Sequence, residues 1–480
     1  MSRIRHGMLP TGRIAGLLLA FAALGPVRAR ADTAALTVTN ALLVPLDGSE
    51  APPFHGYMII GPDGRIAGIG PGEAPASDGP RLDVQGRIVM PGFISGHNHL
   101  SQSVTRGRAA GSWVTEWGGG GRGSAAATRT VQTGDTYAAV LHGALDMLYG
   151  GITTVYNYAL MTRTMTYDDY FETFTAEIDA RGRFIFGYGM PESHGFYSRD
   201  QQMENLRRFL QESRSYPGNE RMLKVSIASV AMRWTEDVSH FEFDALKAFP
   251  ELKMDMQMHF LEPPPNVPRT QYERANFEWL KKYGILGPNL TFAHFVHPTE
   301  DILRESAAAG ATMIWNPLSN ARLGSGLSDI PRYLKLGITV GMGIDGQASA
   351  DIADPFQNMR VGLYSLRALR ADPAVMSPHQ VLLLHTLGTA RALRVEQEVG
   401  SLEVGKFADF IVVDPDDPYT GLSLDPYATL VFSCSRANVT DVYVGGEPVV
   451  RNREFVNIDL RQFQRNTRYR MGRQTEGGGP

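Results

Sequence analysis

Short apolar runs alternate with segments of helical periodicity through the middle of the chain. Eight of these runs have the length of buried strands: 88–97, 151–158, 183–190, 222–230, 253–260, 290–295, 311–317 and 338–345. Amphipathic stretches separate most of the runs, and several of these stretches are followed by a glycine suited to end a helix. This alternation is typical of parallel βα units, so it predicts an α/β chain with a (β/α)₈ TIM barrel over residues 91–395.

Both ends of the chain have a different pattern, in which short β-rich runs are separated by tight turns. Residues 32–90 contain three such stretches, one of them with an Asp63-Gly64 hairpin signal, and residues 396–460 contain two more. Neither part has enough strands to bury a core alone. We therefore expect the two ends to pair into one small composite β-sandwich, followed by a tail at 461–480.

The first 31 residues have the features of an export signal. Arginines precede the apolar stretch 14–25, and Ala29-Arg30-Ala31 offers a small-x-small cleavage site. This stretch is too short to cross a bilayer, because a spanning helix needs about 20 apolar residues. We therefore predict a signal peptide at 1–31 that is removed near Ala31, and an exported chain, periplasmic or secreted, with no stable membrane anchor.

Charge and cysteine content exclude several function classes. Removal of residues 1–31 takes away five arginines and no acids, which changes the formal charge from −4 to −9. A chain this acidic is a poor binder of nucleic acids or anionic membranes, so we expect neither as a partner. The single cysteine, Cys434, can form neither an internal disulfide nor a thiolate metal site. Any metal must therefore be held by His, Asp or Glu.

Five metal-binding side chains stand at the ends of predicted barrel strands. His97 ends the first strand, His99 follows two residues later, and His259, His294 and Asp345 end the fifth, sixth and eighth strands. The active site of a TIM barrel is built where the strands end, so these residues are expected to converge. Three or four imidazoles with one carboxylate suit Zn²⁺, Fe²⁺ or Mn²⁺, with one position left for water.

A proton carrier is expected beside these ligands. A divalent metal in such a site lowers the pKa of a coordinated water to about 7, and catalysis then needs a group that moves protons. Glu262 follows His259 by three residues, close enough to reach the reaction centre without being an obligatory ligand. The spacing favours a proton shuttle over a solvated loop carboxylate.

Several ordered motifs between about residues 37 and 453 resemble the amidohydrolase superfamily. They are "MPGFISGHNHL", "HFLE", "AHFVH", "NPLSNARLGSG", "GIDG" and "GSLEVGKFADFIVVD". The branch they resemble contains cytosine deaminase, S-adenosylhomocysteine deaminase and the triazine hydrolases (chlorohydrolases). The resemblance implies a distorted (β/α)₈ barrel with a composite β-sandwich. It also implies a mononuclear metal site with His97, His99, His259 and Asp345 as ligands.

The same resemblance implies roles for the remaining residues. Glu262 would relay a proton to the ring nitrogen or leaving group of the substrate, and His294 would orient the attacking water or polarise the substrate. Asp345 would take a proton from that water. The end of the fourth strand, "VSIASV", lacks the lysine that bridges two metals in dinuclear members. One divalent ion is therefore expected, Zn²⁺ with Fe²⁺ as the alternative, in a homo-oligomer.

Two positions depart from the usual pattern of this family. Trp315 stands where relatives often carry histidine, and Asn157 where they often carry aspartate. The tryptophan would remove a polar group from beside the metal and so change the polarity of the pocket. The glycine-rich loop after the first strand carries Trp113, Trp117 and Arg122, which form either an aromatic, basic lid or a plain surface loop.

Four further histidines are not expected to bind the metal. His297 lies either behind the ligands or at the surface, and His142 and His385 lie within helical apolar patterns, where they are expected to pack. His194 follows the third strand, so it lies on the functional face of the barrel, either as a plain loop residue or as a substrate contact.

The expected function is that of an exported mononuclear metal-dependent hydrolase of carbon–nitrogen bonds in small molecules. Glu262 and His294 suit an aminohydrolase that deaminates or dechlorinates a nitrogen heterocycle, because one can protonate a ring nitrogen while hydroxide attacks the adjacent carbon. The alternative with the same metal is an amide, carbamate or lactam hydrolase. A periplasmic binding protein on a decayed barrel would have lost a ligand or Glu262, and the sequence retains them all.

Overall fold

The computed structural model describes residues 35–107, 111–117, 134–159, 166–190, 197–229, 236–418, 420–421 and 424–476. The predicted signal peptide, His194 and Arg122 lie outside these residues. Within the described part of the chain, no helix combines the length and apolarity that crossing a bilayer requires.

The strands of the described residues belong to two sheets and are numbered here in chain order. They are β1 (Leu36–Leu43), β2 (Phe54–Ile60), β3 (Ile66–Pro71), β4 (Arg81–Asp83), β5 (Ile88–Pro91), β6 (Phe93–Asn98), β7 (Ile152–Ala159), β8 (Arg183–Gly189), β9 (Met222–Ser229), β10 (Met256–Phe260), β11 (Leu290–His294), β12 (Thr312–Trp315), β13 (Val340–Met342), β14 (Phe410–Val413), β15 (Val439–Val444), β16 (Glu447–Arg451) and β17 (Glu454–Phe455).

Helices fill most of the connections. They are α1 (Val114–Trp117), α2 (Asp135–Tyr149), α3 (Tyr167–Ala180), α4 (Arg199–Ser215), α5 (Glu236–Ala248), α6 (Pro268–Ala275), α7 (Phe277–Lys282), α8 (Glu300–Ala308), α9 (Pro317–Arg322), α10 (Ile330–Lys335), α11 (Pro355–Arg370), α12 (Pro378–Leu384), α13 (Leu387–Ala392), α14 (Pro426–Ala428) and α15 (Leu460–Glu476). Short 3₁₀ turns cover Leu100–Thr105, Asn219–Arg221, Pro250–Leu252 and Arg436–Asn438, and a π turn covers Thr429–Ser433.

The barrel is the parallel sheet β6 to β13, whose strands follow one another in chain order. Each of the eight predicted strands is present, so the predicted (β/α)₈ barrel is confirmed. The sheet closes where the backbone N–H of Asp345, just past β13, donates to the carbonyl of His97 on β6 over 3.0 Å. The closing contact thus joins two of the residues singled out as candidate ligands.

The first predicted strand, 88–97, is divided between the two sheets. Gly92 separates β5 from β6, and its N–H donates to the carbonyl of Asp409 while that of Phe93 donates to Gly151. The chain therefore changes partners at this residue, from the composite sheet to the barrel. Glycine is required here because a Cβ on Gly92 would lie 2.1 Å from Oγ1 of Thr153.

The second sheet combines both ends of the chain, in the strand order β17-β16-β15-β14-β5-β1-β2-β3, with β4 beside β1. The two ends join where β5 pairs antiparallel with β14. A separate hydrophobic core, with Val38, Val89, Phe410 and Tyr443 among its members, draws residues from both ends. The predicted pairing of the two chain ends is confirmed, because neither end alone supplies this core, and the strands of both ends form one nine-stranded sheet.

A buried ion pair connects the barrel to the composite sheet. Arg183, the first residue of β8, donates through Nε to Oδ2 of Asp409 over 2.6 Å, and both side chains are about 4% exposed. The other carboxylate oxygen accepts from the N–H of Gly445 over 2.7 Å. The guanidinium also lies 3.4 Å above the ring centre of Phe407. These contacts compensate the charges of Arg183 and Asp409, which are buried away from water.

The segment predicted as a tail contains α15, which extends as far as Glu476. Its inner face includes Phe463, whose ring lies 6.4 Å from that of His142 on α2. Arg470 pairs with Asp135 at the start of α2 over 3.6 Å. Packing against α2 gives this arginine-rich segment a partner that its composition alone does not reveal.

Candidate metal centre

The candidate ligands converge at the carboxyl ends of the barrel strands. His97 lies near the end of β6, His259 near the end of β10, and His99 just past β6. The Nε2 atom of His259 lies 3.1 Å from Nε2 of His97 and 3.1 Å from Nε2 of His99. Three imidazole nitrogens, from two parts of the chain about 160 positions apart, therefore face one another.

Asp345 completes this group of donors. Its Oδ1 lies 3.6 Å from Nε2 of His97 and 3.6 Å from Nε2 of His99. Donors held about 2.1 Å from one ion lie about 3.0–3.4 Å from each other, so the spacing and the chemistry of the set fit a divalent ion. Overlapping triads of His97, His99, His259, His294, Glu262 and Asp345 have ligand atoms within 4.8 Å of one another, which is close enough to hold a metal.

Burial and mutual charge prepare these side chains to act as electron-pair donors. Burial, followed by the nearby His99, lowers the pKa of His97 well below its ordinary value. Burial alone would raise the pKa of Asp345, but His294, His97 and His99 outweigh it and lower that pKa to about 2. A hydrogen bond of 2.5 Å from Ser319 Oγ contributes to the shift. A neutral imidazole and an ionised carboxylate are the forms that bind metals.

Glu262 and His294 lie next to each other beside this group of donors. Glu262 is 3% exposed, and its Oε1 lies 3.6 Å from Nδ1 of His294. The other ring nitrogen of His294 lies 4.0 Å from Oδ2 of Asp345 and has no hydrogen-bond partner in the described part of the chain. His294 therefore stands between two carboxylates, with a buried donor or acceptor directed at the centre of the site.

The backbone is strained where the strands end. His294 and Asp345 have φ angles of 70° and 64°, and Leu261, next to Glu262, has a φ of 52°. These angles lie in the left-handed region, which residues other than glycine seldom adopt, although asparagine, aspartate and histidine do so more often than the rest. Such conformations cost about 1–3 kcal/mol each and often occur at functional sites. His294 is the last residue of β11 and Asp345 follows β13, so these angles occur where the two chain segments leave the barrel strands.

The structure adds residues that the sequence did not single out. Nδ2 of Asn320 lies 2.9 Å from Nδ1 of His294, and Nδ2 of Asn316 lies 3.4 Å from the same atom. Both residues, like Ser319, belong to the "NPLSN" motif at the start of α9, which was noted only for its resemblance. Gln257 approaches His97 in the same way, and the available signal was its position two residues before His259.

The two departures from the family pattern occupy different surroundings. Trp315 is fully buried outside the site, and its ring contacts α11 so closely that a Cβ on Gly362 would lie 2.4 Å from Cη2. The expectation that Trp315 removes a polar group beside the metal is therefore wrong, because the side chain of this last β12 residue points away from the barrel axis. Asn157 accepts from the N–H of Leu100 and donates to Glu177.

Trp113 lies near the face of the barrel where the strands end. Its side chain is 56% exposed and lies against Gly324, where an added Cβ would be 3.4 Å from the indole ring. Trp113 thus lies against the loop that follows α9. The lid that it was predicted to form with Trp117 and Arg122 stays a prediction.

Two of the other described histidines have hydrogen-bond partners outside the site. Nε2 of His297 lies 2.6 Å from the carbonyl of Ser325, and Nδ1 of His385 donates to the carbonyl of Ile94 over 3.0 Å. Lys224, at the start of β9, pairs with Asp255 and therefore lies at the opposite end of the strand from the site. The described part of β9 ends at Ser229 without a lysine near its carboxyl end.

The amidohydrolase family model matches residues 88–449, which include the whole barrel. One curated relative is the 5-methylthioadenosine/S-adenosylhomocysteine deaminase of Desulforudis audaxviator (strain MP104C), 28% identical over 90% of this chain and 98% of the relative. Another is the 5'-deoxyadenosine deaminase of Methanobrevibacter smithii, 25% identical over 91% of this chain and 97% of the relative.

Solved structures share the fold at lower sequence identity. An adenosine deaminase from Xanthomonas campestris with bound zinc superimposes with a TM-score of 0.77, at 21% identity, over 93% of this chain and 99% of its own. The atrazine chlorohydrolase of Arthrobacter aurescens TC1 complexed with zinc has a TM-score of 0.76 at 21% identity, over 91% of this chain and 100% of its own. At this identity the likeness supports the fold.

Proposed function

The chain belongs to the amidohydrolase family, and on that premise we propose that it is a mononuclear metal-dependent aminohydrolase that acts on a nitrogen heterocycle. One observation carries the proposal: the acid–base pair Glu262 and His294 lies directly beside the converging donors. A heterocyclic deamination needs both parts, a site that activates water and a group that protonates the ring.

His97, His99, His259 and Asp345 would hold one divalent ion, which we propose to be Zn²⁺. The ligand set itself accepts Fe²⁺ as well. Zinc is favoured because the adenosine deaminase and the chlorohydrolase of similar fold were both solved with zinc. When bound, the ion would supply Lewis-acid activation of a water molecule.

The surrounding side chains would move the protons. Asp345 would accept a proton from the attacking water, and Ser319 would hold the carboxylate in place through its hydrogen bond. Glu262 would donate a proton to the ring nitrogen, which makes the neighbouring carbon electrophilic. The water oxygen would bond to this carbon, and the amino nitrogen would then take the proton held by Asp345 and leave as ammonia. The hydroxyl proton left on the carbon would return to Glu262, which gives the carbonyl product. His294, braced by Asn320, would orient the water.

Two of the relatives support deamination as the reaction. Those of Desulforudis and Methanobrevibacter are deaminases of adenine nucleosides, and each is matched over most of its length. The alternative is an amide, carbamate or lactam hydrolase with the same metal site, because water activation and leaving-group protonation serve both reactions. The loops at the strand ends, rather than the ligands, choose between these substrates.

A substrate panel on zinc-loaded protein tests the proposal. The panel contains 5-methylthioadenosine, S-adenosylhomocysteine, 5'-deoxyadenosine and adenosine, together with N-acyl compounds, carbamates and lactams. Release of ammonia from a heterocycle is the expected result, whereas carboxylate formation alone would favour the alternative. The protein is also expected to contain about one zinc per chain. No turnover of any compound, or less than half a metal per chain, would refute the proposal.

We also propose that the chain is exported and that it assembles as a homo-oligomer. Export rests on the basic and apolar pattern of residues 1–31 and on the small-x-small site at Ala31. N-terminal sequencing of protein from a fractionated host should begin near residue 32 in the non-cytoplasmic fraction. Mass measurement in solution should give at least twice the chain mass. An intact N-terminus or a monomer would contradict the respective proposal.

A further inference from the structure

We infer that Gln257 is a positioning residue of the metal site, because it determines which ring nitrogen of His97 can bind a metal. Gln257 lies on β10, is fully buried, and precedes His259 by two residues. Side chains two residues apart on a strand point to the same face. Gln257 therefore lies in the barrel interior directly beneath His259. The inference rests on the metal site proposed above.

The orientation of the Gln257 amide follows from a contact on another strand. Its Nε2 donates to the carbonyl of Gly96 over 2.8 Å. A carbonyl can only accept, so the remaining amide atom, Oε1, is the one that faces Nδ1 of His97 at 2.6 Å. An amide oxygen also only accepts, so the hydrogen of this bond belongs to Nδ1 of His97.

This assignment leaves the other nitrogen of His97 ready to bind. A neutral imidazole carries its single hydrogen on one ring nitrogen, so a hydrogen on Nδ1 leaves a lone pair on Nε2. That atom lies 3.1 Å from Nε2 of His259 and 3.6 Å from Oδ1 of Asp345. Without the acceptor on Gln257, the hydrogen could move to Nε2 and block the lone pair at the centre of the site.

Gln257 also ties together two strands that carry ligands. β6 and β10 lie four strands apart in a barrel of eight, so they stand on opposite sides. One side chain thus crosses the barrel and contacts both Gly96 and His97. Metal-binding histidines usually have such a partner, and its loss typically weakens metal affinity about 10–100-fold.

The test is the Zn²⁺ affinity of metal-free protein, measured by competition with a chelator. Gln257→Met removes the acceptor, so its affinity should fall about 10–100-fold. Gln257→Glu keeps an oxygen acceptor beside Nδ1, and as the protonated acid its other oxygen can still donate to the Gly96 carbonyl, so its affinity should stay within about threefold of the wild type. Gln202→Met is the matched control, because Gln202 is buried on α4 and its amide contacts only Tyr197 among the described hydrogen bonds.

Thermal unfolding of the metal-free variants separates positioning from folding. Both Gln257 variants should unfold as cooperatively as the Gln202→Met control, so that a loss of affinity reflects the site itself. Wild-type affinity in Gln257→Met would overturn the inference, and so would an equal loss in Gln257→Met and Gln257→Glu, which would indicate packing alone. A wild-type protein that binds no Zn²⁺ would overturn the proposed function, and this inference with it.

Discussion

The carboxylate of Glu262 lies 3.6 Å from Nδ1 of His294, and both side chains are buried beside the four converging donors. A carboxylate in this position can exchange a proton with a substrate without binding the metal itself. Because Glu262, His294 and Asp345 also have ligand atoms within 4.8 Å of one another, mutation has to distinguish proton transfer by Glu262 from metal binding by Glu262.

Glu262→Gln should lower kcat by about 10²–10⁴-fold, because glutamine keeps the shape of the side chain but cannot deliver a proton. Metal content should stay at the wild-type level, since the ligands are intact. Steady-state kinetics and elemental analysis measure the two quantities. Glu305→Gln, on the exposed face of α8, is the control. A variant with wild-type kcat, or one that loses its metal, would contradict the assigned role.

Asp345→Asn should reduce turnover by at least about 10³-fold while the fold stays intact. Asparagine tolerates the left-handed φ of 64° at this position, so the change removes the negative charge without adding backbone strain. Asp351→Asn is a matched control, because Asp351 has a φ of 62° but pairs with Arg322 away from the donors. If Asp345→Asn were as active as Asp351→Asn, the role assigned to Asp345 would be refuted. Circular dichroism shows whether both variants are folded.

Arg183→Met should destabilise the protein by about 3–5 kcal/mol, because it leaves Asp409 charged and buried without its partner. Urea denaturation followed by fluorescence measures the change. Arg207→Met is the control, since Arg207 and Glu204 are both more than half exposed and such pairs contribute about 0–1 kcal/mol. Similar midpoints for the two variants would show that the ion pair does not hold the barrel to the composite sheet.

Stability should fall in acid because of His385. Burial lowers the pKa of His385 to about 4, while an unfolded histidine titrates near 6.5. Between these values the unfolded chain binds a proton that the folded chain does not, so His385 favours unfolding as the pH falls through this window. The loss amounts to about 3 kcal/mol between pH 6.5 and pH 4.

The contribution of His385 is measured with the variant His385→Gln by urea denaturation at pH 7.5 and pH 5. The wild type should lose about 2 kcal/mol more than this variant between the two values. His55→Gln, at an exposed position on β2, should decline with pH as the wild type does. A decline in His385→Gln as steep as in the wild type would show that another group carries the effect.

The barrel and its candidate ligands could be predicted from the sequence for one physical reason. Strand periodicity is a local property, and parallel strands in a barrel all end on the same face. His97, His259 and Asp345 therefore had to approach one another once the strands were placed. The composite sheet followed in the same way, because neither chain end has enough strands to bury a core.

Other features lay beyond local patterns. The run 88–97 reads as one strand, yet Gly92 divides it, because the change of partner depends on Asp409 and Gly151, which are distant in the chain. The arginine-rich C-terminal segment has the composition of a tail, and only its contact with α2 accounts for the helix. Trp315 occupies a strand end like the ligands, but its side chain faces α11.

The sequence by itself determined the fold class, the strands and the residue types that could bind a metal, since these depend on periodicity and on the chemistry of each side chain. Only the tertiary structure decided how those residues are held. Gln257 meets His97 across 160 positions, and Asn320 meets His294 from a different strand connection. Such hydrogen bonds depend on which strands face each other once the barrel closes, and no local sequence pattern shows which distant residues will meet.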